Sequence, residues 1–102
     1  MRVIAGKFRS RPLHSLRSMD LRPTSDRLRE TLFNVLGGGN PTAFEDSVWL
    51  DLCAGTGAVG IEALSRGAAL AYFVESSVPA AALIHRNLRS LGIDAGTEDS
   101  TK

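Results

Sequence analysis

Two carboxylates flank a run of glycines in this chain. Asp51 stands four residues before Gly55, and Glu75 follows twenty residues after it. Between them, Gly55-Thr56-Gly57-Ala58-Val59-Gly60 matches the pattern G-x-G-x-x-G letter for letter. Such a turn lets backbone approach a ligand closely, and the helix that follows offers free N–H groups. The pattern alone fits many nucleotide-like ligands.

Asp51 narrows the choice. In dinucleotide folds the glycines follow the strand almost at once, and a pyrophosphate sits on the helix N-terminus. A carboxylate at the strand end would repel that pyrophosphate. It suits a ligand carrying an ammonium or sulfonium group. S-adenosyl-L-methionine carries both and has no phosphate. Glu75 can accept both hydroxyls of a ribose, so it fits either ligand and does not choose between them.

The elements that must position these groups are legible in the apolar patterning. Val48 to Leu52 is a short apolar run suited to a buried parallel strand. Residues 58–67 read as a helix with Ile61 and Leu64 inward and Gly67 as its stop. Leu70 to Val74 is a second strand, ending at Glu75. Residues 79–92 read as a helix with Pro79 in its first turn and a buried stripe of Ala80, Leu83, Ile84, Leu88 and Leu91. A strand-helix-strand order predicts a parallel sheet with a right-handed crossover. Upstream, residues 22–39 read as a helix. Thr24 or Ser25 is its cap, Leu28, Leu32, Val35 and Leu36 form its inward face, and three glycines stop it. Residues 2–8 suit a short strand with Gly6 as a bulge. Two parallel strands leave an open edge and an uncovered face, so the sequence predicts the front half of a larger α/β fold.

Composition sets the class. The 102 residues amount to one small domain, 43% hydrophobic and 23% charged. No apolar run reaches the roughly 20 residues of a membrane helix, and no secretory h-region is present. Cys53 is the single cysteine, read as a buried filler in a reduced, cytoplasmic setting. His14 and His85 have no metal-ligand spacing, so no metal is expected. The net charge of +1 hides an asymmetry. Residues 1–29 hold eight basic and two acidic groups, a net of +6, and residues 30–102 carry a net of −5. A basic arm on an acidic body predicts a nucleic-acid contact at one end.

Three stretches together carry a family likeness. LDLCAGTGAVGIEALSRGAALAYFVES, RPTSDRLRETLFNVL and RVIAGKFRSRPL resemble, in that family's order, the bacterial 16S ribosomal RNA guanine-N2 methyltransferases. The likeness covers residues 1–92. It implies the N-terminal half of a class I, Rossmann-like α/β methyltransferase fold preceded by a basic β-hairpin or strand arm and a helix. The basic arm would span residues 1–21 and the methyltransferase domain residues 22–102, with the tail after 92 unassigned. S-adenosyl-L-methionine would be the cofactor, bound by Asp51, Ala54, Gly55, Gly57 and Glu75, with Thr24 and Arg27 closing over it. Arg2, Lys7, Arg9 and Arg11 would lie on RNA phosphates, in 16S rRNA or the small-subunit particle. The intact protein would be monomeric and would transfer a methyl group to a guanine amine by direct attack.

The chain departs from the family pattern in three places. Cys53 replaces an aromatic residue, and Ser10 stands where the opening motif has glycine. The (Asp/Asn)-Pro-Pro-(Tyr/Phe) motif that holds the target base in that family is absent; Asn40-Pro41-Thr42-Ala43 reads as a turn. The chain alone is therefore expected to lack methyl-transfer activity. Two other classes fit parts of the sequence: a non-catalytic RNA-binding fragment, and an NAD-dependent oxidoreductase fragment, against which Asp51 argues.

Overall fold

The computed structural model describes residues 1–15, 25–52 and 55–93. Its elements run α1 (Ser25–Gly37), β1 (Val48–Leu52), α2 (Ala58–Ser65), β2 (Leu70–Val74) and α3 (Val78–Ser90). The two strands pair in parallel, from Val48 opposite Leu70 to Leu52 opposite Val74. Helix boundaries follow local chemistry. Ser77 caps α3 by accepting from the Ala80 N–H, and Pro79 sits in the first turn. Both α2 and α3 end in a left-handed glycine with a bond closing six residues: the Ala68 N–H donates to the Ala63 carbonyl past Gly67, and Ile93 to Leu88 past Gly92.

One face of the sheet carries the helices. Phe73 packs into a core of Val3, Leu13, Ala58, Ile61, Ile84, Leu88 and Leu91. The predicted stripe of α3 is buried in full. Trp49 stacks on Phe33 of α1 with ring centroids 5.1 Å apart, and Phe44 completes that aromatic cluster. The strands are not buried on both faces, as their sequences suggest. Val48, Leu50, Leu52, Leu70, Tyr72 and Val74 all point to an uncovered face. Alternation along a strand sends neighbouring side chains to opposite sides, and all the described helix packing lies on the Trp49 and Phe73 side.

Helix α1 differs more from the sequence reading. Leu28, Leu32, Val35 and Leu36 are exposed, Leu28 to 65% and Val35 to 73%. Its buried residues are Arg29 and Phe33, one helical turn apart. An ion pair and an aromatic cluster orient this helix, and they outrank the leucine stripe, whose residues join neither apolar core cluster. The predicted stop at Gly37–Gly39 holds, with Gly38 and Gly39 at positive φ. The cap position at Thr24 lies outside the described residues.

The N-terminal segment is a narrow hairpin with a single antiparallel bridge, Arg2 opposite Pro12, in place of a strand over residues 2–8. Its backbone polar groups are taken by side chains of α2. The Ser65 hydroxyl donates to the Ala5 carbonyl at 2.6 Å and accepts the Phe8 N–H at 2.9 Å. Gly6 has φ +87°, and a Cβ there would lie 2.0 Å from the Ser65 carbonyl oxygen. Ser10 adopts φ 68°, so the position where the resembling family has glycine keeps the left-handed turn. Opposite effects are expected on this hairpin. Gly6→Ala should lower stability by about 1–3 kcal/mol through strain and clash, and Ser10→Gly should raise it by up to about 1 kcal/mol. Urea unfolding of both variants measures the two signs; equal midpoints would contradict the turn geometry.

Candidate functional site

Strand β1 delivers Asp51 to the N-terminal end of α2, and the register places it opposite Phe73 on β2. The loop between them turns through Gly55 at φ 58° and Gly57 at φ 81°, and Gly57 is the residue that opens α2. Gly60 lets α2 lie close on β2; a Cβ there would sit 2.3 Å from the Phe73 ring.

The two carboxylates occupy the amides that a phosphate would seek. Asp51 Oδ2 accepts the Gly60 N–H at 3.1 Å. Glu75 Oε1 accepts the Gly55 N–H at 2.8 Å, and its Oε2 accepts the Ser77 N–H at 3.0 Å. The Thr56 hydroxyl, just ahead of α2, accepts the Ala58 N–H at 3.2 Å. Burial pushes the Asp51 carboxyl above its ordinary range; the Gly60 amide opposes this, and the nearby Glu75 charge adds to it. Glu75 is held below its ordinary range, first by the Ser77 amide and then by that of Gly55. The site is thus an anionic mouth made by one reluctant and one stable carboxylate.

The linkage signs differ. The lowered Glu75 stabilises the fold above its unfolded-state pKa, and that contribution is lost as pH falls through its folded value. The raised Asp51 favours the fold in its protonated form. Its contribution is present at low pH and is lost as pH rises through its folded value. A bound cation would reverse that penalty.

The structure brings Asp51, Gly55, Gly57 and Glu75 together. Ala54 and Thr24 lie outside the described residues. Arg27 is exposed in the first turn of α1. The four basic residues of the hairpin are exposed, but they are spread along it. The base of the hairpin meets the start of α2, where Thr56 Oγ1 contacts Met1 Sδ at 3.6 Å. The tip meets the end of α2, where the Lys7 N–H donates to the Ser65 carbonyl at 2.7 Å. The eight residues of α2 separate these points, a helical rise of roughly 10 Å, so Lys7 and Arg9 stand well away from the glycine loop. Arg11 Nη2 donates to the Ser90 carbonyl at 2.9 Å, at the end of α3.

Three residues that organise the site were missed in the sequence. Glu62 is fully buried and accepts the Ile4 N–H at 2.9 Å, the Ala5 N–H at 3.0 Å, Arg66 Nε at 2.9 Å and Arg29 Nε at 3.5 Å. Arg29 also donates to the Arg2 carbonyl and to Asp26 Oδ1. Asn87 is fully buried and bonds both the hairpin and the glycine loop. The available signal was a charge inside the apolar run Ala58–Ser65 and an amide inside the buried stripe of α3. Among the described residues no group of three or more His, Cys, Asp or Glu could hold a metal ion, and no helix is long and apolar enough to cross a membrane.

Comparison with known proteins matches this chain to named relatives. The chain is 44% identical over 91 residues to Ribosomal RNA small subunit methyltransferase D of Escherichia coli K12, covering 89% of this chain and 44% of that protein. The protein of the same name from Haemophilus influenzae is also 44% identical over 91 residues, covering 89% of this chain and 45% of that one. Among solved structures, a hypothetical protein of Thermus thermophilus superposes with a TM-score of 0.76 at 37% identity, over 93% of this chain and 52% of that one. The Escherichia coli protein yhhF gives a TM-score of 0.76 at 42% identity, over 90% of this chain and 48% of that one. The chain spans about half the length of the curated relatives it matches. The α/β arrangement is part of a Rossmann-like methyltransferase fold. The family described as Conserved hypothetical protein 95 matches residues 1–102, and the chain belongs to it.

Proposed function

We propose that this chain forms the methyl-donor side of an S-adenosylmethionine-dependent methyltransferase that acts on a guanine N2 amine of 16S ribosomal RNA. The observation that carries the reading is the seating of Asp51 and Glu75 on the amides of Gly60 and Gly55. Two carboxylates already take two of the loop amides that a pyrophosphate could use, and their charges repel it. The same arrangement attracts an ammonium and a sulfonium, and it leaves carboxylate lone pairs for ribose hydroxyls.

When bound, S-adenosylmethionine supplies an electrophilic methyl carbon on its sulfonium. The residues of this chain bind and orient. Asp51 takes the ammonium of the methionine end, and the backbone at Ala54, Gly55 and Gly57 lines it. Glu75 accepts from the ribose. Thr24 and Arg27 close the site from the α1 side. Fixing the donor converts an encounter into an oriented pair, which is where proximity lowers the barrier. Arg2, Lys7, Arg9 and Arg11 contact RNA phosphates, and residues 1–21 serve as the RNA arm of a domain that begins at residue 22. The names of the two ribosomal RNA methyltransferases support this substrate class.

Thermal shift with S-adenosylhomocysteine and with NAD tests the ligand. Stabilisation by the first and none by the second is expected; the reverse would return the loop to the dinucleotide class. RNA binding is tested by its salt dependence. Lys7→Ala and Arg9→Ala should each reduce the log–log salt slope by about 1, and unchanged slopes would remove the hairpin from the interface.

A further inference from the structure

The hairpin and the glycine loop meet on one residue, Thr56. Its hydroxyl contacts Met1 Sδ, and the Leu13 N–H donates to the Met1 carbonyl at 2.8 Å. Its carbonyl accepts from Asn87 Nδ2 at 2.9 Å. The same Asn87 amide grips the other end of the hairpin. Its Oδ1 accepts the His14 N–H at 2.7 Å, and its Nδ2 donates to the His14 carbonyl at 3.0 Å. Both amide hydrogens are therefore committed, one to each segment. Asn87 has no exposed surface, so water does not replace either partner.

The Thr56 carbonyl and the Gly57 N–H belong to one planar peptide unit. Fixing the direction of that carbonyl fixes the direction of the Gly57 amide, which faces the opposite way in the glycine loop. Gly57, at φ 81° and without a Cβ, sets little local barrier to a turn of that peptide. The packing below it is close, since a Cβ on Gly57 would stand 3.3 Å from the Ile84 side chain, one turn before Asn87 on α3. The planar amide of Asn87 therefore links the position of residue 14 to the orientation of the loop peptide.

We propose that Asn87 is a positioning residue that couples the hairpin to the ligand loop, so that RNA held by the hairpin and cofactor held by the loop strengthen each other's binding. This rests on the function proposed above for the two segments. Coupling of this kind is reciprocal, and about 5-fold or more is the usual range.

The test compares the chain with Asn87→Asp, which keeps an acceptor for the His14 N–H and sets a carboxylate oxygen against the Thr56 and His14 carbonyls. The dissociation constant of S-adenosylhomocysteine is measured with and without a small-subunit rRNA transcript at low salt. The parent should bind at least about 5-fold tighter with RNA, and the variant should show a ratio near one. A merely structural role would change melting temperature and leave that ratio in place. Amide hydrogen exchange gives a second reading that needs no ligand. Exchange at Gly57 should rise in the variant, with α1 unchanged. If the variant does not fold, exchange at Gly57 in the parent should slow when RNA alone is added. A parent that binds neither ligand overturns the proposed function, and the exchange data still decide the positioning role. A folded variant that keeps the parent's coupling ratio, or the parent's Gly57 exchange, overturns the inference, as does an RNA-bound parent whose Gly57 exchange is unchanged.

Discussion

Asp51→Asn is expected to weaken S-adenosylhomocysteine binding by about 10- to 150-fold, the loss of a hydrogen bond to a charged group. The same change should leave the ligand-free chain as stable as the parent at neutral pH, or more so. The two effects have one origin. Burial raises the pKa of Asp51, so its charge opposes folding once pH exceeds the folded value. Asparagine keeps an acceptor for the Gly60 N–H and removes that charge. A cationic ligand needs the charge, so its affinity for the parent should fall as pH drops through the raised Asp51 value. The variant should lose that pH dependence. Calorimetric titration across the acidic range reads both. A variant that binds as tightly as the parent would end the assignment of Asp51 to the ammonium.

Glu62→Gln should be the most destabilising single change considered for this chain, by about 3–5 kcal/mol. The buried carboxylate satisfies two backbone donors and two guanidinium groups. Glutamine offers one acceptor oxygen and turns its amide NH2 toward one of those donors. It also leaves Arg29, almost without solvent exposure, with only the partly exposed Asp26 as a carboxylate partner among the described residues. Removing one partner of a buried ion pair costs far more than the pair contributes against an apolar replacement. A small domain holds about 5–15 kcal/mol in all, so the loss should be visible as a large drop in urea midpoint. Glu30→Gln, on the exposed side of α1, should stay within about 0.5 kcal/mol of the parent. A loss below about 1 kcal/mol for Glu62→Gln would show that Arg29 and Arg66 find other partners, against the expectation for a broken buried pair.

The Glu62 cluster also explains why the hairpin belongs to the core. A strongly basic N-terminal stretch can be a solvated tail. Here Val3 and Leu13 share a core with Ile61 and Leu88, and the backbone of residues 4 and 5 ends on a buried carboxylate. The hairpin therefore has a fixed orientation. Its basic tip points away from the glycine loop, and its base touches the loop through Thr56.

The sequence by itself determined the local elements and which residues flank the glycine loop. The β-α-β-α order, the glycine stops, the stripe of α3 and the pair Asp51 and Glu75 around G-x-G-x-x-G are all set by short-range spacing. Hydrophobic period and turn chemistry act over a few residues, so they can be read from a string. Only the tertiary structure decided which face of α1 turns inward, because Arg29 and Phe33 answer to partners 33 and 11 residues away, Glu62 and Phe44. It also decided what Glu62 and Asn87 do. A buried polar side chain takes its role from the donors and acceptors that folding brings to it, and those of Asn87 lie 73 and 31 residues back along the chain.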